Sequence, residues 1–409
     1  MSQASESNEV QVRVPINMAL IKYWGKRNVE QMQPLNDSVS VTIDALHAST
    51  VVKRCTVAGD DKVVVNGLER PCGGGTRFAR VFNELRRMLR KRAHSSSRQR
   101  TQAATFTNWR FEVVSTTNFP TDAGLASSAA GFAAIACALG QLFHLDETTT
   151  ARLARLGSGS ACRSVLPGFV QWHAATDDAG DRAHVQSFQP GDHWRSLRAI
   201  IAVTSEQAKT VASTEAMQRS VHTSELLTYR VESVVPRRIT ALRSAIEAKD
   251  FSRFADLVIR DSNQLHAICM DTAPPVFYLS TASQHLIRLC EAFNEKQSLK
   301  PETPEQDHAA VTASKLPTRK VAYTFDAGPN CCFFLERHVL DEFLRTLLHF
   351  CPAADSQQPI RGQEPFDFKL APLTPEELRC NNGPLVPMRN AVKYYVVSTV
   401  GTGPAVIGS

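Results

Sequence analysis

Residues 115–131 read Ser-Thr-Thr-Asn-Phe-Pro-Thr-Asp-Ala-Gly-Leu-Ala-Ser-Ser-Ala-Ala-Gly. A polar, proline-containing turn runs into small residues and then into an apolar stretch that predicts a helix from Ser127 to about Phe143. Gly124, Ala126, Ser127, Ser128, Ala129 and Ala130 keep side chains short where that helix begins, so a ligand can approach the backbone. The first N–H groups of a helix lack internal partners, and the helix dipole adds partial positive charge there. Such an end accepts phosphate, and serine hydroxyls can add hydrogen bonds or a Mg²⁺ ligand. Tight packing alone also explains a small-residue helix start, and composition does not separate the two readings. No Gly-Lys-Ser/Thr follows, so this is not a Walker A loop, and the Gly-x-Gly-x-x-Gly spacing of a dinucleotide site is absent.

Outward from this segment, strands and helices alternate in an α+β pattern. Residues 10–22 alternate as a strand, 39–57 read as two paired strands, and Val63–Val65 before Asn66-Gly67 signals a hairpin. Helices are predicted over 76–92, 147–156, most of 212–248, 251–266 and 280–295. Short strands are predicted at 111–115, 169–173, 199–204, 322–326, 331–335 and 393–399. Residues 93–104 and 297–318 are polar and read as surface insertions. A domain boundary falls near residues 190–200.

The chain has 409 residues and a net charge of +6. At about 150 residues per domain this suits two or three domains. Its mildly basic balance favours anionic ligands, but the dense basic run Arg86–Arg100 has no interleaved aromatics and reads as a solvated helix end, not a nucleic-acid surface. Ten cysteines lie scattered without zinc spacing, and the vicinal Cys331–Cys332 pair reads as buried thiols, which fits a reducing compartment. No apolar run approaches the roughly 20 residues that span a bilayer, and no targeting signal is visible, which makes the cytoplasm the default location.

Three further segments carry chemistry-bearing residues. Lys22-Tyr23-Trp24-Gly25-Lys26-Arg27 places three cations and two aromatics at a strand end, either as a solvated end with an aromatic plug or as an anion clamp. Gly157-Ser158-Gly159-Ser160-Ala161-Cys162-Arg163 joins flexible backbone and hydroxyl donors to an arginine suited to carboxylate or phosphate. Thr324-Phe325-Asp326-Ala327-Gly328-Pro329-Asn330 sets a carboxylate at the end of an apolar strand, as a turn former or as a group able to orient or deprotonate a hydroxyl.

Taken in order along the chain, these segments resemble the mevalonate diphosphate decarboxylase family of the GHMP kinase superfamily. The resemblance also covers Pro34-Leu35-Asn36, Ser38–Thr42, Ser213–Met217, Val234-Val235-Pro236 and Asp261-Ser262-Asn263. It implies a two-domain α+β GHMP kinase fold, with a ribosomal protein S5 domain 2-like lobe at 1–195, a ferredoxin-like-type lobe at 196–409, and an active site in the cleft between them. It implies ATP-dependent decarboxylation of 5-diphosphomevalonate to isopentenyl diphosphate, with ADP, phosphate and CO₂ released and Mg²⁺ as cofactor.

By the same resemblance Asp326, Arg163 and Lys22 are catalytic. Tyr23, Trp24, Gly25, Lys26, Arg77, Ser158, Gly159, Ser160, Ala161, Cys162, Ser213 and Thr214 surround the substrate. Gly124, Leu125, Ala126, Ser127, Ser128 and Ala129 hold the ATP phosphates, with Ser127 a metal ligand. Homodimers are common in the family. Asp37 and Asp122 depart from its pattern, and Asp122 is expected to face solvent or a cation. A sister GHMP small-molecule kinase, a monophosphomevalonate decarboxylase, and a catalytically inactive nucleotide-binding module are the competing readings.

Overall fold

The strand Ser38–Cys55 is a single 18-residue element, not the two strands that the pattern at 39–57 predicts. The residue that invites a turn there is Asp44. Its carboxylate instead accepts hydrogen bonds from Thr402 N (2.9 Å) and Oγ1 (2.7 Å), so it fastens a distant segment and leaves the strand unbroken. One part of this strand, Ser38–Val41, pairs with Phe169–Trp172, and another, Ala48–Cys55, pairs with Arg110–Thr117. The same strand therefore fixes the run leading to residue 119 and the run that follows Arg163.

The computed structural model describes residues 8–57, 59–94, 109–119, 127–174, 184–207, 209–298, 318–362 and 385–408. The chain divides into two compact units, one of residues 1–19, 23–193 and 401–409, the other of residues 20–22 and 194–400. The expected division at 195/196 places the last residues differently. Strand Ala405–Gly408 pairs antiparallel with the strand Glu9–Ile21, which returns the end of the chain to the first unit.

Among the described residues the first unit carries an eight-stranded sheet. Its main path runs Ala405–Gly408, Glu9–Ile21, Ser38–Cys55, Arg110–Thr117, Lys62–Val65, Leu68–Arg70, with Phe169–Trp172 paired to the long strand and Val185–Gln189 paired in turn to Phe169–Trp172. Asn66 and Gly67 both adopt positive φ (49° and 78°), which gives the hairpin between Lys62–Val65 and Leu68–Arg70 a twist matching its strands. Helix Ser127–Leu142 is buried along most of its length, and it packs on the long strand and on helix Glu147–Gly157. Asp146 caps the latter by accepting from Thr149 N at 2.7 Å. The two helices meet closely at Gly157, where a Cβ would come within 2.0 Å of the Phe132 ring.

The second unit has a five-stranded sheet among the described residues, ordered Val321–Phe325, Cys331–Glu336, Leu197–Val203, Tyr394–Ser398, Ile360–Gly362. Helices Phe251–Asp271 and Thr281–Ser298 pack on the edge strand Val321–Phe325, and helix Arg337–Phe350, which the sequence pattern did not reveal, packs on Cys331–Glu336. An edge strand exposes backbone groups that need partners. Here Asn294 Oδ1 accepts from Val321 N (3.0 Å) and Ser262 Oγ from Phe325 N (2.9 Å). The nine described cysteines are free thiols, with Cys331 and Cys332 fully buried. The expected insertions at 93–104 and 297–318 lie largely outside the described residues. Among the described residues no helix is long and apolar enough to cross a membrane.

Candidate active site

In the second unit, Lys22 follows directly on the strand Glu9–Ile21, and Asp326 directly on Val321–Phe325. The Lys22 ammonium donates to Asp326 Oδ1 at 2.6 Å. The lysine side chain is sealed, with 2% of its surface exposed, while 25% of the aspartate side chain remains accessible. The turn after Asp326 is pinned: Asn330 Oδ1 accepts from Thr204 N (2.8 Å) and Ser205 N (3.0 Å), and Ser283 Oγ donates to the Pro329 carbonyl at 2.8 Å. The side-chain contacts account for the asparagine that closes the Phe-Asp-Ala-Gly-Pro-Asn run.

His266 is buried near the same pair, its ring edge-on to Phe325. Burial and the Lys22 charge push its pKa down to about 4, with Asp326 opposing, so the imidazole is neutral at physiological pH. Ser213 begins helix Ser213–Thr223 and accepts from Lys209 Nζ at 2.9 Å, and Thr214 beside it is exposed.

In the first unit, Arg163 lies in the 3-10 turn Gly159–Val165, which follows the break at Gly157-Ser158. Its guanidinium is buried and held at two points, donating from Nη1 to Ser38 Oγ (2.6 Å) and from Nε to Asn17 Oδ1 (3.2 Å). Asn17 is itself fixed, its Nδ2 donating to Ser164 Oγ (2.7 Å) and the Ser160 carbonyl (3.1 Å). The Trp172 ring lies 5.8 Å from the guanidinium carbon and 4.9 Å from the Tyr23 ring. Tyr23 Oη and Trp172 Nε1 are buried without hydrogen-bond partners among the described residues. Leaving a buried donor unsatisfied costs about 1–3 kcal/mol, so two together mark a place where a ligand oxygen would be welcome.

A Cβ at Gly159 would meet Tyr23 Oη at 3.0 Å and the Trp172 ring at 3.3 Å, so a larger residue there would push these rings by a few tenths of an ångström. Ala161 N donates to the Ser158 carbonyl (2.8 Å) and Cys162 Sγ to the Gly159 carbonyl (3.1 Å), so both groups stabilise the turn itself. Burial pushes the Cys162 thiol up to about 12, which keeps it neutral.

Trp24, Gly25 and Lys26 lie in the first unit. Trp24 N donates to Asn36 Oδ1 at 3.3 Å, and Gly25, at φ 90°, turns the chain so that its carbonyl accepts from Leu35 N. Lys26 is buried rather than solvated, and burial together with the Arg80 and Arg77 charges pulls its pKa down to about 8. Three cations sharing one region repel one another, and an anion would relieve that repulsion. Ser127 and Ser128 open helix Ser127–Leu142, which has no acidic residue in its first turn, and Ser128 Oγ lies 3.2 Å from Ser158 Oγ. Ala129 is buried against the helix's packing side. Gly124, Leu125, Ala126 and Asp122 lie outside the described residues.

Asp37 accepts from Ala174 N (2.7 Å) and Gln171 Nε2 (3.0 Å) and pairs with His173 at 3.2 Å. These partners outweigh burial and hold its carboxyl below the usual range. Asn17, Ser38, Arg80, Lys209, Arg230 and His266 were not singled out as site residues from sequence. Asn17 and Ser38 reach Arg163 across 146 and 125 positions, which a motif search among neighbours does not see.

Two family models together span the chain: the diphosphomevalonate decarboxylase-like N-terminal domain matches residues 14–183, and the mevalonate 5-diphosphate decarboxylase C-terminal domain matches residues 199–407. The diphosphomevalonate decarboxylase of Rattus norvegicus is 37% identical over 99% of this chain and 95% of its own length. That of Homo sapiens is 38% identical over 96% and 92%. Mevalonate diphosphate decarboxylase from Trypanosoma brucei superposes with a TM-score of 0.81 at 32% identity, covering 98% of both chains. A structure of MDDEF in complex with MVAPP, AMPPCP and magnesium superposes with a TM-score of 0.69 at 25% identity, covering 98% of this chain and 99% of that one. On its sequence and its fold, the chain belongs to the diphosphomevalonate decarboxylase family.

Proposed function

We propose that this chain catalyses the ATP-dependent decarboxylation of 5-diphosphomevalonate to isopentenyl diphosphate, releasing ADP, phosphate and CO₂, with Asp326, Lys22 and Arg163 as its reacting groups. Full-length relatives with this activity in their names support the reaction, and the 2.6 Å pair of Lys22 and Asp326 is the observation that supports the residue roles.

The chemistry follows from the substrate. A tertiary alcohol is a poor leaving group, and phosphorylation makes it a good one. Asp326 accepts the proton of the 3-hydroxyl as its oxygen takes the γ-phosphoryl of ATP, and ADP departs. The Lys22 ammonium, donating to its carboxylate at 2.6 Å, holds Asp326 in place for that transfer. Phosphoryl transfer asks the protein mainly for position and charge neutralisation. The C3–O bond then breaks with phosphate leaving, the electrons of the C1–C2 bond form the C2=C3 double bond, and CO₂ departs. Arg163, its plane fixed by Asn17 and Ser38, holds the carboxylate until that bond breaks. Tyr23, Trp24, Gly25 and the 158–162 turn line the substrate, Lys26 and Arg77 meet its diphosphate, and Ser213 and Thr214 complete the contacts.

ATP phosphates rest at the start of helix Ser127–Leu142, on the 124–129 run. MDDEF holds MVAPP, AMPPCP and magnesium together, which supports ATP and Mg²⁺ here. The described residues contain no group of three His, Cys, Asp or Glu side chains that could hold a metal ion. Ser127, at the start of its helix, is the residue that would hold Mg²⁺. Mg²⁺ supplies neutralisation of phosphate charge. The free thiols fit a cytoplasmic enzyme, and assembly as a homodimer is the oligomeric state we propose.

The test is a comparison of kcat/KM for 5-diphosphomevalonate, the 5-monophosphate and mevalonate. Preference for the diphosphate supports the assignment, and preference for either of the others transfers the chain to a sister activity.

A further inference from the structure

Asp261 and Ser262 are consecutive residues on helix Phe251–Asp271, both fully buried. Each accepts a backbone N–H from one of the two segments that carry the reacting pair. Asp261 Oδ1 accepts from Lys22 N at 2.8 Å, and Ser262 Oγ accepts from Phe325 N, the residue before Asp326, at 2.9 Å. Arg230 completes the hold. Its Nη2 donates to the Lys22 carbonyl (2.9 Å) and to Asp261 Oδ1 (2.9 Å), and its Nη1 to Asp261 Oδ2 (2.9 Å). Arg238 Nη1 reaches the same Oδ2 at 2.7 Å.

Both polar groups of the Lys22 peptide are thus tied to one buried ion cluster. Burial opposes ionisation of Asp261, but the two arginines and the Lys22 N–H outweigh it and hold its carboxyl below the usual range. Arg230 opens a π-helical stretch, Arg230–Val234, that interrupts an otherwise α-helical run. Such inserted turns cost regular hydrogen bonding and recur at functional sites, where they re-aim a side chain. A buried ion cluster is poor value for stability alone, since apolar packing of the same volume does as well or better.

We infer that Asp261, Ser262 and Arg230 are positioning residues that set the separation of Lys22 and Asp326, one helical turn acting as the common reference for both strands' ends. This rests on the reading above, that the Lys22–Asp326 pair does the chemistry. All three residues are fully buried and act through the Lys22 and Phe325 backbone, so their loss lowers turnover while leaving ground-state binding largely intact.

The experiment uses the full-length enzyme with ATP, Mg²⁺ and 5-diphosphomevalonate, measuring kcat, both KM values and the thermal midpoint. Ser262→Ala removes one neutral acceptor and is the variant chosen to stay folded. Asp261→Asn keeps an acceptor for Lys22 N and discards the charge that Arg230 and Arg238 require. The expected result for Ser262→Ala is a fall in kcat of tenfold or more, about 1.4 kcal/mol in barrier, with both KM values within twofold. The effect should nearly vanish in a Lys22→Met background, because the geometry it maintains is already lost. An equal proportional loss in both backgrounds, or a lowered thermal midpoint with unchanged kcat, overturns the inference and leaves Ser262 a structural residue. Wild-type enzyme that releases no CO₂ would instead remove the underlying reading, so the two failures are distinguishable.

Discussion

Lys22 Nζ lies 2.6 Å from Asp326 Oδ1 across 304 positions of sequence, and the two ends of this contact differ in exposure. The ammonium is sealed from water while the carboxylate keeps an accessible face. A buried cation with a partly open anion is suited to steady a carboxylate that must meet a substrate hydroxyl. Replacing Asp326 by Asn removes the proton acceptor and preserves shape. Turnover should fall by about 10²–10⁴, the usual worth of a positioned base, while substrate affinity stays within about tenfold. Near-normal turnover would take Asp326 out of the reaction.

Arg163 depends on Ser38 and Asn17 for its orientation. Arg163→Gln should lower kcat/KM about 100-fold, in line with about 1.5–3 kcal/mol for a hydrogen bond to a charged group. Ser38→Ala, which removes only the 2.6 Å support, should give a smaller loss in the same parameter. Altered ATP affinity alone in either variant would place Arg163 in the nucleotide site.

Lys26 titrates near pH 8 because burial, Arg80 and Arg77 all disfavour its charge. An anionic substrate binds the protonated form. KM for 5-diphosphomevalonate should therefore be flat below pH 7 and rise above pH 8, by on the order of tenfold per pH unit at most for one proton. Lys26→Arg stays charged and should flatten the rise. A KM profile identical in both enzymes would exclude Lys26 from the diphosphate contact.

His266 is held neutral, its pKa lowered from 6.5 to about 4, by burial first and Lys22 second. The unfolded chain takes up this proton below pH 6.5 and the folded chain only near pH 4, so stability rises with pH across that window. The penalty is absent above pH 6.5 and grows as pH falls to 4, reaching about 3 kcal/mol. The difference in thermal midpoint between wild type and His266→Gln should shift in favour of the variant as pH drops from 6.5 to 4. A pH-independent difference would show that His266 does not titrate in this window.

Gly157 sits where a Cβ would overlap the Phe132 ring at 2.0 Å. Gly157→Ala must move helix Ser127–Leu142 or helix Glu147–Gly157, at a cost of about 1–3 kcal/mol or more. We expect a lower thermal midpoint and a raised KM for ATP, since the displaced helix is the one assigned to phosphate. An unchanged KM for ATP would separate that helix from nucleotide binding.

Signals confined to neighbouring residues were legible in the sequence. The Asn66-Gly67 hairpin, the helix beginning at Ser127 and the break at Gly157-Ser158 depend on φ preferences and side-chain size within a few positions, the α+β class followed from the alternation of strands and helices, and the two-domain fold from the family resemblance. Signals set by distant partners were not. Asp44 resembles a turn former until Thr402, 358 positions away, is seen to claim its carboxylate. The short strand Ala405–Gly408 has three exposed residues of four, and only its pairing with Glu9–Ile21 makes it a strand. Asp261 and Arg230 lie 239 and 208 positions from the Lys22 peptide they hold, so no spacing rule reveals that contact.

The most direct test of the activity counts ADP and CO₂ in one tube, from ATP, Mg²⁺ and 5-diphosphomevalonate labelled at C1. One CO₂ per ADP is the predicted result. ADP without CO₂ would describe a kinase that stops at the phosphorylated alcohol, and the absence of both products would describe a nucleotide-binding module or an enzyme of another substrate; either outcome contradicts the account.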